Sequence, residues 1–258
     1  MHRSPGLPTV RHQLIRLTRR AFRTLGMDVY RASQPTVSAG FTYERVHPLA
    51  TYAPWRSDLD FQATFDAVKS YTLVDEHRLF ELWSLVRTRS DLGGDILEVG
   101  VWRGGSGALL ARAAQCARSR ARVVLCDTFR GVVKASSRDS TYRGGEHSTS
   151  RASVNELLGR LGLDGVTLLE GVFPDETAPA LGDVRLQLCH VDVDVYESAR
   201  GVLNWVWPRL LPGGVVVFDD YGFRGCDGVT RLVDEEAIKD DRVFVHNLNG
   251  HGLLIKTR

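Results

Sequence analysis

The 258-residue chain carries 33 Lys+Arg against 31 Asp+Glu, a formal charge of +2, and is 43% hydrophobic. No apolar run approaches the roughly 18 residues needed to span a bilayer, which argues against an integral membrane protein. Only Lys69, Lys134, Lys239 and Lys256 are Lys, and the Arg residues are spread along the chain rather than gathered on one face, which argues against a nucleic-acid partner.

From Met1 to Tyr30 the chain holds Arg3, Arg11, Arg16, Arg19, Arg20 and Arg23 with no acid before Asp28, and Leu14, Ile15, Leu17, Ala21 and Phe22 can form a helical stripe. This pattern fits an organelle transit peptide, a helix on an anionic membrane surface, or a helix packed on its own domain or a second copy. The last is the preferred expectation, giving a helical extension over residues 1–57 that contributes to a homo-oligomer. A domain over residues 58–258 follows. Cys116, Cys126, Cys189 and Cys226 occur singly, without C-x-x-C pairs, and read as reduced thiols of a cytoplasmic protein.

Within the domain, His77–Arg87 has helical apolar spacing, Asp95–Gly100 reads as a buried strand, Gly107–Ala117 as a helix and Arg122–Cys126 as a second strand. Strands at Val166–Leu169, Leu186–Val193 and Val215–Phe218 alternate with helices at Arg151–Leu161, Glu197–Trp207 and Val229–Ile238. Val243–Leu248 and Leu253–Lys256 close the chain through an Asn-Gly-His-Gly turn. The predicted fold is α/β: a doubly wound, mostly parallel, Rossmann-like sheet with an antiparallel C-terminal strand. In such sheets ligands sit beyond the carboxyl ends of the strands.

Between the first strand and its helix stand Glu98, Gly100, Trp102, Gly104, Gly105 and Ser106. A P-loop requires Lys where Ser106 stands, and the dinucleotide fingerprint requires Gly where Trp102 stands. The frame E-x-G-x-x-x-G instead resembles the first motif of class I S-adenosylmethionine-dependent methyltransferases. Small residues there let the backbone approach the amino-acid part of the cofactor, and Asp127, ending the next strand, suits the ribose hydroxyls.

In Leu188–Tyr196 a period of two directs His190, Asp192 and Asp194 to one face. Asp219 and Asp220 end the next strand. Buried carboxylates need a positive neighbour, and Asp192, Asp219 and Asp220 form a hard oxygen set suited to Mg²⁺. Taken singly, Asp219 and Asp220 also suit an Asx-turn before a glycine-bearing loop. The D-x-D pattern occurs as well in glycosyltransferases and in haloacid-dehalogenase-like phosphatases, although the latter place it on their first strand.

Five collinear blocks, Gly94–Ser106 (GDILEVGVWRGGS), Asp127–Gly131 (DTFRG), Glu170–Glu176 (EGVFPDE), His190–Tyr196 (HVDVDVY) and Gly213–Gly222 (GGVVVFDDYG), resemble the macrocin O-methyltransferase family. The resemblance implies a Mg²⁺-dependent enzyme that transfers a methyl group from S-adenosylmethionine to a deoxysugar hydroxyl of a glycosylated natural product. It implies cofactor contacts at Tyr71, Thr72, Glu98, Gly100, Ser106, Asp127, Gly171 and Phe173, and metal ligands at Asp192, Asp219 and Asp220. Asp194 is the implied general base, with His190 its rival, and His147 and Tyr221 are the implied substrate contacts. Gly131–Ser150, rich in Gly, Ser and Thr, resembles a mobile lid. Two other readings stay open: a methyltransferase acting on catechol-type phenols, and a non-catalytic binding protein that retains the fold.

Overall fold

The computed structural model describes Thr18, Phe22, Thr24, Leu25, residues 34–47 and residues 50–258. Apart from those first four residues, the basic helix expected within Met1–Tyr30 lies outside the described residues. The chain divides into a unit of residues 1–37 with 42–45 and a unit of residues 38–41 with 46–258, and the larger unit holds the main sheet and the candidate site. Two short strands, β1 (Thr36–Ser38) and β2 (Phe41–Tyr43), form a small sheet of their own.

The main sheet has seven strands: β3 (Asp95–Val99), β4 (Val123–Asp127), β5 (Thr167–Glu170), β6 (Leu186–Val191), β7 (Leu210–Phe218), β8 (Arg242–His246) and β9 (Gly252–Lys256), in the order β5-β4-β3-β6-β7-β9-β8. Strands β3 to β7 pair in parallel, and β9 pairs antiparallel with both β7 and β8. The predicted antiparallel strand is therefore present, but it lies inside the sheet. Its Leu253 and Leu254 are buried and suit an interior position, while Val243 and Val245 of β8 are exposed and suit the edge.

Helices α1 (Leu59–Val68), α2 (Glu76–Thr88), α3 (Gly105–Cys116), α4 (Arg151–Arg160), α5 (Tyr196–Val206) and α6 (Asp227–Ala237) cover the two faces. Alternation along the strands sorts them into two apolar cores. Ile96, Leu188, Val215, Val217 and Leu253 pack with α1 to α4, whereas Leu97, Val99, Cys189, Val191, Val216, Phe218 and Leu254 pack with α5 and α6. All six residues of β6 are buried, as expected of a central parallel strand covered on both sides. The strand order reverses between β3 and β6, so a crevice opens at their carboxyl ends. Among the described residues, no helix is long and apolar enough to cross a membrane.

Candidate active site

A cavity of about 410 Å³ occupies that crevice. One wall is the turn leaving β3. Gly100 has φ +89°, and a Cβ there would lie 1.7 Å from the carbonyl oxygen of Asp192, so only glycine fits. Asp127 braces the same turn: Oδ2 accepts the backbone N–H groups of Val101 (2.6 Å) and Trp102 (2.8 Å), and Oδ1 that of Phe129 (2.6 Å). A carboxylate offers about four acceptor sites. Asp127 thus keeps about one acceptor direction beyond these three bonds. At the start of α3, Gly105 donates to the carbonyl of Tyr71 (3.0 Å), and a Cβ there would strike that carbonyl carbon at 2.7 Å. This contact lays residues 71–73 over the turn. Thr72 and Leu73 line the cavity with Ser106, Gly171 and Phe173, while the Tyr71 ring lies against Arg160.

The opposite wall is acidic. Strand β6 stops at Val191, and the chain beyond it turns at Asp194, whose φ is +65°. Strict alternation therefore fails to orient Asp194, which is held instead by its own N–H donating to Asp220 Oδ2 (2.8 Å) and by a side-chain hydrogen bond with Tyr142. Asp192, Asp194, Asp219 and Asp220 all line the cavity. Carboxylate oxygens of Asp192, Asp219 and Asp220 lie within 4.8 Å of one another. Burial first, then the charges of Asp219 and Asp220, push the Asp192 carboxyl well above the usual carboxylate range. Burial, then Asp194 and Asp219, do the same to Asp220. Asp194 is also raised, mainly by burial, against the opposing Tyr142 hydrogen bond.

Asp219 differs from its neighbours. Against the effect of burial, the nearby His190 imidazole, the hydrogen bond from His251 and the charge of Arg78 hold its carboxyl below the usual range. Arg78 Nη1 donates to Oδ2, and His251 Nε2 lies 2.9 Å from Oδ1. Arg78 is the positive neighbour that buried carboxylates require, and its guanidinium also lies 4.4 Å from the Phe223 ring centroid. One guanidinium does not balance this cluster. The hard oxygen donors and the surplus negative charge fit a divalent cation such as Mg²⁺, held by Asp192, Asp219 and Asp220.

Four expected site residues do not line the cavity: Tyr71, whose ring lies against Arg160, and Glu98, His190 and Tyr221. Glu98 and His190 face each other across β3 and β6 on the α1–α4 side of the sheet, fully buried, with Oε1 2.9 Å from Nδ1, and neither lines the cavity. Desolvation lowers the His190 pKa, but the flanking carboxylates of Asp219 and Glu98 outweigh it and push the imidazole up to about 10. The His190 ring lines no part of the cavity, which leaves it out of hydrogen-bond reach of a hydroxyl bound there. Tyr221 is also absent from the cavity lining: its hydroxyl donates to Asp234 (2.8 Å) and its ring packs against Phe244 and His246. His147 does line the cavity, beside Trp102 and Tyr142. The segment that resembles a lid covers the cavity and is tied down, with Ser198 Oγ donating to Val133 O (2.7 Å) and Tyr196 N to Asp139 Oδ1 (2.9 Å).

Sequence reasoning missed Arg78, Tyr142, His251 and Phe223. For two of them a signal existed. Arg78 precedes Leu82 by four positions on the buried stripe of α2, and His251 precedes Leu253 by two on the buried face of β9. A polar or charged group on an apolar stripe marks a buried polar partner.

The family model for macrocin O-methyltransferase (TylF) matches residues 47–246. The mycinamicin III 3''-O-methyltransferase of Micromonospora griseorubida is 32% identical over 192 residues, covering 68% of this chain and 75% of that one. An 8-demethyl-8-(2,3-dimethoxy-alpha-L-rhamnosyl)-tetracenomycin-C 4'-O-methyltransferase of Streptomyces olivaceus is 36% identical over 170 residues, covering 61% of this chain and 65% of that one, just under two thirds of its length. The structure of the O-methyltransferase NovP superposes with a TM-score of 0.63 at 25% identity, covering 73% of this chain and 83% of that one. With nearly four fifths of the chain matched in one continuous span, and the glycine turn and acidic strand ends in place, the chain belongs to the macrocin O-methyltransferase family.

Proposed function

We propose that this O-methyltransferase uses S-adenosylmethionine and Mg²⁺ to methylate a hydroxyl of a deoxysugar on a glycosylated natural product. The observation that carries the reading is one cavity with a glycine turn on one wall and four carboxylates on the other. The names of the relatives support the acceptor class, since they give mycinamicin III and a rhamnosyl-tetracenomycin C as the acceptors. When bound, the sulfonium cofactor supplies an electrophilic methyl group, and the divalent ion lowers the pKa of an acceptor hydroxyl and fixes its position.

The chain's own residues supply the rest. The turn at Gly100, braced by Asp127, and the overlying Thr72 and Leu73 shape the cofactor wall and exclude water from it. Asp194 takes the hydroxyl proton at its carboxylate. Its raised pKa makes it a stronger base than an exposed carboxylate, and its hydrogen bonds to Tyr142 and Asp220 fix its direction. Trp102, Tyr142 and His147 form an aromatic edge to the cavity on which a sugar ring can rest.

Glycosylated acceptors incubated with S-adenosylmethionine should gain one methyl group by mass spectrometry, in a reaction abolished by chelation and by Asp192→Ala. Methyl transfer that survives complete chelation, or is unchanged in that variant, refutes the metal-dependent reading. Preferential methylation of a catechol over every sugar acceptor refutes the acceptor class.

A further inference from the structure

The clamp on Asp219 extends well beyond the cavity. Because Asp219 continues β7 in step with Val217, and His251 precedes β9 in step with Leu253, the two side chains meet on the α1–α4 face of the sheet. The His251 ring is fully buried. Its Nε2 lies 2.9 Å from Asp219 Oδ1, and its Nδ1 contacts Oε2 of Glu81 on α2. Glu81 receives more than this one contact. Asn249 donates to its Oε2 (3.0 Å) and Asn247 to its Oε1, so one carboxylate gathers three donors from the β8–β9 turn. On its other side the same turn accepts Gly222 N at Gly250 O (2.8 Å), just past Asp220.

A second carboxylate–imidazole pair, Glu98 with His190, points at the same Oδ1, with His190 Nε2 3.5 Å away. Oδ2 is taken by Arg78. Asp219 is thus held from three directions by groups distant in sequence. Asp220 is held differently, by the Asp194 N–H at Oδ2 (2.8 Å) and the Cys226 thiol at Oδ1 (3.5 Å), with no guanidinium or imidazole among these partners.

We propose that Glu81 and His251 are positioning residues that fix the Asp219 carboxylate for the divalent cation, and so set the enzyme's metal affinity rather than its turnover. The inference rests on the metal reading above. Glu81 orients the His251 ring, and the ring's Nε2 holds Oδ1 in one rotamer while leaving an acceptor direction toward the cavity. Hydrogen-bond partners of ligating groups typically change metal affinity about 10–100-fold when removed.

Glu81→Gln is the sharpest variant. It keeps the shape but leaves a single acceptor oxygen, and its amide N–H₂ then faces groups that also donate, so at least one of the three donors loses its acceptor. The experiment measures Mn²⁺ binding by electron paramagnetic resonance in wild type, Glu81→Gln and His251→Gln, each confirmed as folded by circular dichroism, together with the metal dependence of kcat. The proposal expects the Mn²⁺ Kd to rise about 10–100-fold in Glu81→Gln, with kcat at saturating metal within about two-fold of wild type. His251→Gln retains a donor that can reach Asp219 and should fall between the two. Unchanged Kd in both folded variants overturns the inference and leaves the metal reading intact, as does a fall in saturated kcat with Kd unchanged. Absence of Mn²⁺ binding in wild type overturns both.

Discussion

The two walls of the cavity are built from different materials. The β3–β4 wall is main chain: its working parts are N–H groups, carbonyls and missing side chains, and Asp127 braces a turn that starts only a strand away. The β6–β7 wall is side chain. Its carboxylates are positioned by Arg78, Tyr142 and His251, which arrive from α2, the long loop after β4 and the β8–β9 turn. A wall made of backbone fails by shape, and a wall made of buried charge fails by imbalance.

Gly100→Ala should be the most damaging single change because it strikes where the walls touch. The added methyl would overlap the Asp192 carbonyl at a backbone conformation that alanine disfavours. Overpacking of about 1–3 kcal/mol adds to roughly 1–2 kcal/mol of left-handed strain. Urea denaturation should show the summed loss, and calorimetry should detect no S-adenosylmethionine binding. Wild-type stability would mean that the turn can separate from Asp192.

Asp192→Asn tests the charged wall and should separate stability from activity. Removing one of several mutually repelling carboxylates should raise the melting temperature of the metal-free protein by about 2–4 °C for each kcal/mol relieved. Methyl transfer should fall about 10²–10³-fold, the scale of losing a well-placed electrostatic group. A variant that is inactive but less stable than wild type would contradict the surplus of charge.

Proton and metal should also compete on that wall alone. Asp192, Asp194 and Asp220 are raised above the ordinary value of 3.8, so each favours the fold while protonated and costs stability as pH rises from 3.8 through its folded value. Asp219 works the other way, since its stabilisation is present above 3.8 and is lost only as pH falls through its lowered folded value. Mg²⁺ at about 100 times its Kd should stabilise by about 2.7 kcal/mol once the cluster is ionised. Scanning calorimetry should therefore find a larger Mg²⁺-induced shift in Tm at about pH 8 than at about pH 5.5. An equal shift at both values would show that the carboxylates do not share their site with the metal.

The same contrast explains what could be read from the sequence. Glycines at fixed offsets after a strand announce a backbone wall, because the turn itself needs positive φ and missing side chains at those offsets, and Gly100 lies where the turn demands. Alternation found the carboxylates but not their partners. It gave His190 and Asp192 the same face, yet the first lies beneath the sheet and the second at its open end, because β6 stops at Val191 between them. The parity of Glu98 turns it toward His190 and away from a cofactor, and the Tyr221 hydroxyl meets Asp234 in place of a substrate. Arg78 and Asp219 are 141 positions apart, and no local pattern joins them.

Tyr142 gives the finest test, because it joins the long loop to the charged wall through a single hydroxyl. Its phenol is pushed up, first by burial and then by the adjacent Asp194, so it keeps its proton and donates it into the hydrogen bond. Tyr142→Phe keeps the ring at the cavity edge and removes only that donor. One hydrogen bond contributes about 1 kcal/mol net, so kcat should fall about five-fold while the affinities for S-adenosylmethionine and Mn²⁺ stay as in wild type. A rise in acceptor KM with kcat unchanged would instead assign the hydroxyl to the sugar. Loss of Mn²⁺ affinity would show that the base and the metal ligands are one mechanical unit, tied through the Asp194 N–H to Asp220, and the charged wall would then respond to the loop as a whole.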